Sequence, residues 1–145
     1  MSQTPETGSL TGVWTYRSFH NDPDLNTAYD KYLFGSGYLT IDDAPAGVFR
    51  GKLGDTGFLL ACNGSTSYGY PGVVRFQGKG IVNGEEWIYD YLGFVVPAWP
   101  NGENQVPAIV GTIVRTIPHS GSAPGTVSPA GVTASWIAVW KEAKA

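Results

Sequence analysis

Cysteine, histidine, charge and long apolar runs are all scarce in this chain. A single cysteine, Cys62, excludes an internal disulfide. The two histidines, His20 and His119, stand far apart, and no Cys, His or carboxylate cluster has ligand spacing, so no metal is expected. The nine Lys and Arg are scattered singly and the net charge is −3, which removes the basic stripe a nucleic-acid binder needs. No apolar run is long enough to span a bilayer, so no membrane partner is expected. Residues Met1 to Gly8 carry one charged side chain, Glu6, and lack the basic start and apolar stretch of a secretory signal. Together with the lone thiol, this predicts a cytoplasmic protein.

Cofactor and nucleophile signatures are missing too. Gly78-Lys79-Gly80 lacks the length and the terminal Ser or Thr of a phosphate-binding loop. Gly35-Ser36-Gly37 precedes a strand instead of a helix, so it is no dinucleotide fingerprint. No G-x-S-x-G elbow occurs. Cys62 follows the apolar run GFLLA, which suits a buried, inert thiol. No cofactor is expected.

What the chain does have is glycine, proline and aromatic residues spread between short apolar runs. That pattern predicts many short strands joined by turns. The lead-in covers residues 1–9 and one barrel-sized domain covers 10–142. Strands are expected at Val13–Phe19, Tyr38–Ile41, Val48–Leu53, Phe58–Cys62, Val73–Val82, Glu86–Val96, Ala108–Ile117 and Val132–Lys141. Asn21–Lys31 reads as a loop or short helical turn. Asn83-Gly84 is the strongest hairpin signal. The fold class is all-β: a single antiparallel up-and-down barrel of about eight strands, because closure removes exposed edges.

Leu10-Thr11-Gly12-Val13-Trp14 matches the G-x-W opening of the first strand in the lipocalin and avidin–streptavidin group. The segments GYLTIDDAPAGVFRGKLG, VRFQGKG (Val74–Gly80) and SWIAVW (Ser135–Trp140) extend the match, and the chain resembles the avidin side of these calycin-type barrels more closely. The resemblance implies a barrel with a central pocket and outer faces that associate. It does not carry over biotin binding. At the family's ureido-gripping positions this chain has Tyr16, His20, Leu53 and Asp55 in place of the usual polar set.

Strand alternation places Trp14, Tyr16, Ser18 and His20 on one face of the first strand. Aromatics from several strands, Trp14, Tyr16, Phe49, Tyr89, Tyr91, Trp136 and Trp140, are candidates to line a pocket, with Trp87 beside them. Arg115 is a candidate polar anchor, and His20, Tyr16 and Asp90 are candidate acid–base groups. Asp90 shares its face with Ile88, Leu92 and Phe94, and an acid on an apolar face needs a partner. A charge pair inside or across the barrel and a ligand anchor both satisfy that need.

In an antiparallel meander, connections fall alternately at the two ends. The turn Asp42–Gly47 then shares an end with the loops Asn63–Gly72 and Pro97–Pro107. The loops Asn21–Lys31 and Pro118–Gly131 share the other end with Asn83-Gly84. An entrance among at least two of the four long loops is expected, with Tyr70 and Trp99 as its lid. Three functions fit: a module binding a small, largely apolar molecule in a central aromatic pocket; a cofactor-independent isomerase or cyclase using the same pocket; or a self-associating structural barrel without a ligand. The aromatic-rich strand Glu86–Val96 predicts a homo-oligomer, a dimer or tetramer.

Overall fold

The computed structural model describes residues 9–144, so the lead-in expected over residues 1–9 lies outside the described residues except for Ser9. Alternation of apolar and polar side chains produces eight long strands. They are β1 (Gly12–His20), β2 (Leu33–Ile41), β3 (Val48–Asp55), β4 (Phe58–Ser67), β5 (Val73–Val82), β6 (Glu85–Val95), β7 (Ala108–Arg115) and, after two short strands, β10 (Thr133–Glu142). They close in the order β1-β10-β7-β6-β5-β4-β3-β2, every neighbouring pair antiparallel. This is a single closed up-and-down barrel, an architecture of calycin-type barrels in general. Closure leaves no unpaired edge among these strands.

Two glycines show why the sequence turns where it does. Asn83 and Gly84 take φ of 51° and 81°, the left-handed pair that a tight β5–β6 hairpin requires. Gly12 is needed for space: a Cβ there would stand 2.2 Å from the Trp140 ring. The G-x-W opening thus has a packing reason, since Gly12 admits the ring that Trp14 then meets edge-on at 5.5 Å.

Four strands run longer than expected, β1 and β3 by two residues each and β2 and β4 by more, while β7 stops at Arg115 instead of Ile117. β2 begins at Leu33 instead of Tyr38, and β4 continues to Ser67, through NGSTS that reads as loop. Asn21–Lys31 contains no strand, and a short helix α1 (Tyr29–Tyr32) follows its polar turns. The segment after β7 is also not bare loop. It forms a small hairpin of β8 (His119–Ser120) and β9 (Val127–Ser128).

The wall sorts side chains by parity. Inward go Trp14, Tyr16 and Ser18 from β1, Phe49 and Leu53 from β3, Leu60 and Cys62 from β4, and Val74 and Phe76 from β5. Tyr89, Tyr91, Ile109, Ile113, Arg115, Trp136 and Trp140 go inward from β6, β7 and β10, and Leu39 and Ile41 from β2. Asp90 lies on the outer surface of β6, exposed, where it accepts a hydrogen bond from the Gln77 amide at 3.0 Å. Arg115 points inward. The two sit on opposite sides of the wall, so the charge pair considered from sequence is not formed between them. Asp90's need for a partner is met by solvent and Gln77.

Candidate functional site

The two ends of the barrel are built from different chemistry. At one end the β2–β3 turn, the β4–β5 loop and the β6–β7 loop come together, as the alternation of an antiparallel meander demands. They surround an open concavity of about 550 Å³. Its floor is Trp14 and Phe49, both fully buried. Leu10, Ile41, Val48, Val73 and Val95 supply apolar wall, and Asp42, Asp43, Thr66 and Ser67 supply the polar rim. Trp14 is fixed by packing on Trp140 and by its indole N–H, which donates to the Leu10 carbonyl at 2.9 Å.

From the floor inward the rings meet one another across the barrel interior, with Phe49, Phe76 and Tyr91 in one cross-strand row. Phe49 stacks on Phe76 at 4.3 Å and Phe76 stacks on Tyr91 at 4.5 Å. Tyr16 and Trp136 lie 5.9 Å apart, and Trp136 donates its indole N–H to the Thr112 carbonyl. These aromatic clusters occupy the centre, and the concavity lies above them. Two polar atoms in the interior, the Tyr16 hydroxyl and the Trp140 indole N–H, have no hydrogen-bond partner among the described residues. Burial raises the Tyr16 and Tyr91 phenols above their ordinary range and pushes the Cys62 thiol up to about 12.

At the opposite end the interior becomes polar. Arg115, only 9% exposed, lies over the rings of Phe34 and Tyr89, 5.2 and 5.8 Å from their centroids. Its Nε donates to the Tyr89 hydroxyl at 3.4 Å, and its Nη1 donates to the Pro129 carbonyl at 3.2 Å. His119 reaches in from β8 and stacks on Trp87 at 4.1 Å. Its Nδ1 is 2.9 Å from the Ser120 carbonyl, which can only accept, so Nδ1 carries the proton. In the neutral ring Nε2 is then the acceptor, and the Tyr89 hydroxyl donates to it at 2.9 Å. A directed chain results: Arg115 to Tyr89, Tyr89 to His119, His119 to Ser120. The Glu85 carboxylate accepts from the Ser120 N–H and hydroxyl at 3.1 Å each and ties down the same hairpin.

The structure separates the residues singled out in the sequence. Trp14 and Phe49 form the concavity floor. Tyr16, Tyr91, Trp136 and Trp140 are buried beneath it. Tyr89 and Arg115 belong to the capped end. His20 lies near that end too, but it is exposed at the last position of β1, beyond a bulge at Ser18/Phe19, with its ring edge-on to Phe34 at 4.9 Å. Tyr70 and Trp99 flank the open end without lining the concavity, and are 80% and 73% exposed. The Tyr70 hydroxyl donates to the Ala98 carbonyl at 3.3 Å, so the two loops touch there. Tyr68, two residues earlier, is the aromatic at the rim. Asp90 is brought to none of these places.

Sequence reasoning missed Phe34, Phe76 and Val95. Phe76 was findable by alternation in VRFQGKG. Phe34 is hidden by its neighbours Gly35 and Gly37, which weaken any strand signal. No group of three or more His, Cys, Asp or Glu among the described residues is placed to hold a metal ion. No protein family, curated protein or solved structure matches this chain.

Proposed function

We propose that the barrel binds a small, largely apolar molecule in the open-end concavity. The observation that carries this reading is the concavity itself: about 550 Å³, walled by apolar side chains over a rigid aromatic floor, with a few polar groups at the rim. Such size and lining are typical of small-molecule sites. The aromatic stack below supports a site at the mouth of the barrel, above the centre. The acid–base alternative gains less support, because the Tyr89–His119 pair lies at the far end.

Filling the mouth tests the reading. Val95 is on the inward-facing register of β6 and lines the concavity. In Val95→Trp, binding of the neutral fluorescent probe N-phenyl-1-naphthylamine is expected to vanish while the circular dichroism stays unchanged. A probe that binds the folded variant as well as the parent overturns the site.

We further propose self-association as a dimer or tetramer through the outer face of β6 and β7. Phe94 and Val110 are cross-strand neighbours there, and both are exposed. Light scattering should give a multimer mass that falls to the monomer mass in Phe94→Lys. A monomer at all practical concentrations of the parent overturns it.

A further inference from the structure

We propose that the open-end concavity selects a molecule with an apolar body and one cationic nitrogen, and that Asp42 is the group that recognises it. This rests on the concavity being a binding site. Its lining contains two carboxylates, Asp42 and Asp43, and no Lys, Arg or His. The rim already holds an ammonium: Lys144 Nζ lies 2.5 Å from Asp42 Oδ1. Lys144 is outside the lining and beyond the end of β10 at Glu142, so this ammonium is delivered by a short tail and not by the barrel wall.

The ion pair is partly open to solvent, with the two side chains 43% and 33% exposed. Pairs of that kind contribute little, since water screens them and two long side chains must be held. Exchange of Lys144 for a ligand ammonium therefore costs little. The ligand gains what Lys144 lacks, an apolar body covered by Leu10, Ile41, Val48 and Val95. A ligand carboxylate at the same place meets like charge from Asp42 and Asp43, and the ammonium recorded beside them, Lys144, is already paired with Asp42.

Octylamine, octanol and octanoate share one apolar chain and differ in charge, so calorimetry with the three isolates the recognition. At neutral pH and low salt, octylamine is expected to bind about fivefold more tightly than octanol, and octanoate most weakly. In Asp42→Asn the octylamine advantage should disappear while octanol affinity holds. In Lys144→Ala octylamine affinity should rise about two- to threefold with octanol unchanged. Equal affinities for all three in the parent overturn the charge selection and leave the apolar site standing. Failure of all three to bind overturns both. An octylamine advantage that persists unchanged in Asp42→Asn assigns recognition elsewhere and overturns the role of Asp42. If Asp42→Asn does not fold, Lys144→Ala decides: an unchanged octylamine affinity counts against the exchange.

Discussion

The open end of the barrel is held by surfaces and the capped end by single atoms. At the open end Trp14 meets Trp140 edge-on and Phe49 stacks on Phe76, so the stabilisation is spread over many contacts. At the capped end, Arg115, Tyr89 and His119 depend on one phenolic oxygen that accepts from one neighbour and donates to the other. An apolar floor tolerates a concavity above it, because Phe49 has no polar side-chain atom and the Trp14 indole N–H is already bonded to the Leu10 carbonyl. A polar cap does not, because each donor and acceptor removed from water must be matched. The difference explains why the concavity lies over the apolar floor, with its polar groups confined to the solvated rim, and why the β8–β9 hairpin covers the other end.

The largest expected effect breaks the open end. Trp14→Ala should lower stability by about 3–5 kcal/mol in urea denaturation, as truncation of a large core residue does. It also removes the floor, so probe binding should be lost with it. A loss under about 1 kcal/mol would mean that Trp14 is not the plug its full burial implies.

Next comes the region between the ends. Burial holds the Cys62 thiol at about 12, above its ordinary value of 9.0. Above pH 9 the unfolded chain gives up this proton while the folded chain keeps it. The stabilisation from the neutral thiol is complete below pH 9 and is lost as pH rises toward 12. Between pH 9 and about 10.5 the loss from this group is about 2 kcal/mol. Urea melts across that range should show a shallower decline in Cys62→Ala, and the native thiol should resist alkylation. Equal slopes in the two proteins would count against it.

At the capped end one oxygen decides. Tyr89→Phe leaves Arg115 Nε and His119 Nε2 without their partner and should cost about 1–3 kcal/mol. The β8–β9 hairpin should also become more open to proteolysis, since His119 is the buried side chain that anchors it. A variant as stable and as protease-resistant as the parent would mean that the chain of hydrogen bonds is ornamental to the fold.

The sequence discloses the wall better than what the wall encloses. Period-two alternation and Asn83-Gly84 locate the strands, because each signal is local. β2 and β4 are cut short in such a reading, because Gly35, Gly37 and the run NGSTS have little strand preference of their own and are strand only by pairing with neighbours. The inward faces of β1 and β6 are legible. Whether inward rings leave a space or fill it depends on contacts between distant strands, such as Phe49 with Phe76 and Phe76 with Tyr91. The concavity walls are hidden for a similar reason: Leu10, Val48 and Val95 look like any strand-end residues until the turns bring them together. His119 stands in a Ser/Gly/Pro stretch that reads as surface, and only the docking of its hairpin on the barrel end gives it a partner.

The smallest effect carries the sharpest contrast. Tyr16 and Tyr89 are both buried tyrosines in the same interior, and Phe replaces either with the loss of one oxygen. The Tyr89 hydroxyl is bonded on both sides, whereas the Tyr16 hydroxyl, with the Ser18 and Tyr91 hydroxyls near it, makes no bond of good geometry among the described residues. Removing a bonded oxygen strands its neighbours. Removing an unbonded one takes away a desolvated polar group and strands nothing. Tyr16→Phe is therefore expected to leave stability unchanged or raise it by up to about 1 kcal/mol, opposite in direction to Tyr89→Phe. Its alkaline limb should also flatten, because burial raises the Tyr16 phenol and that contribution is lost only above the phenol's ordinary value of 10.0. Urea melts of the two variants at neutral pH and above pH 10 provide the comparison. A Tyr16→Phe loss as large as that of Tyr89→Phe would show that the Tyr16 oxygen is bonded after all, and that the interior is polar well above the capped end.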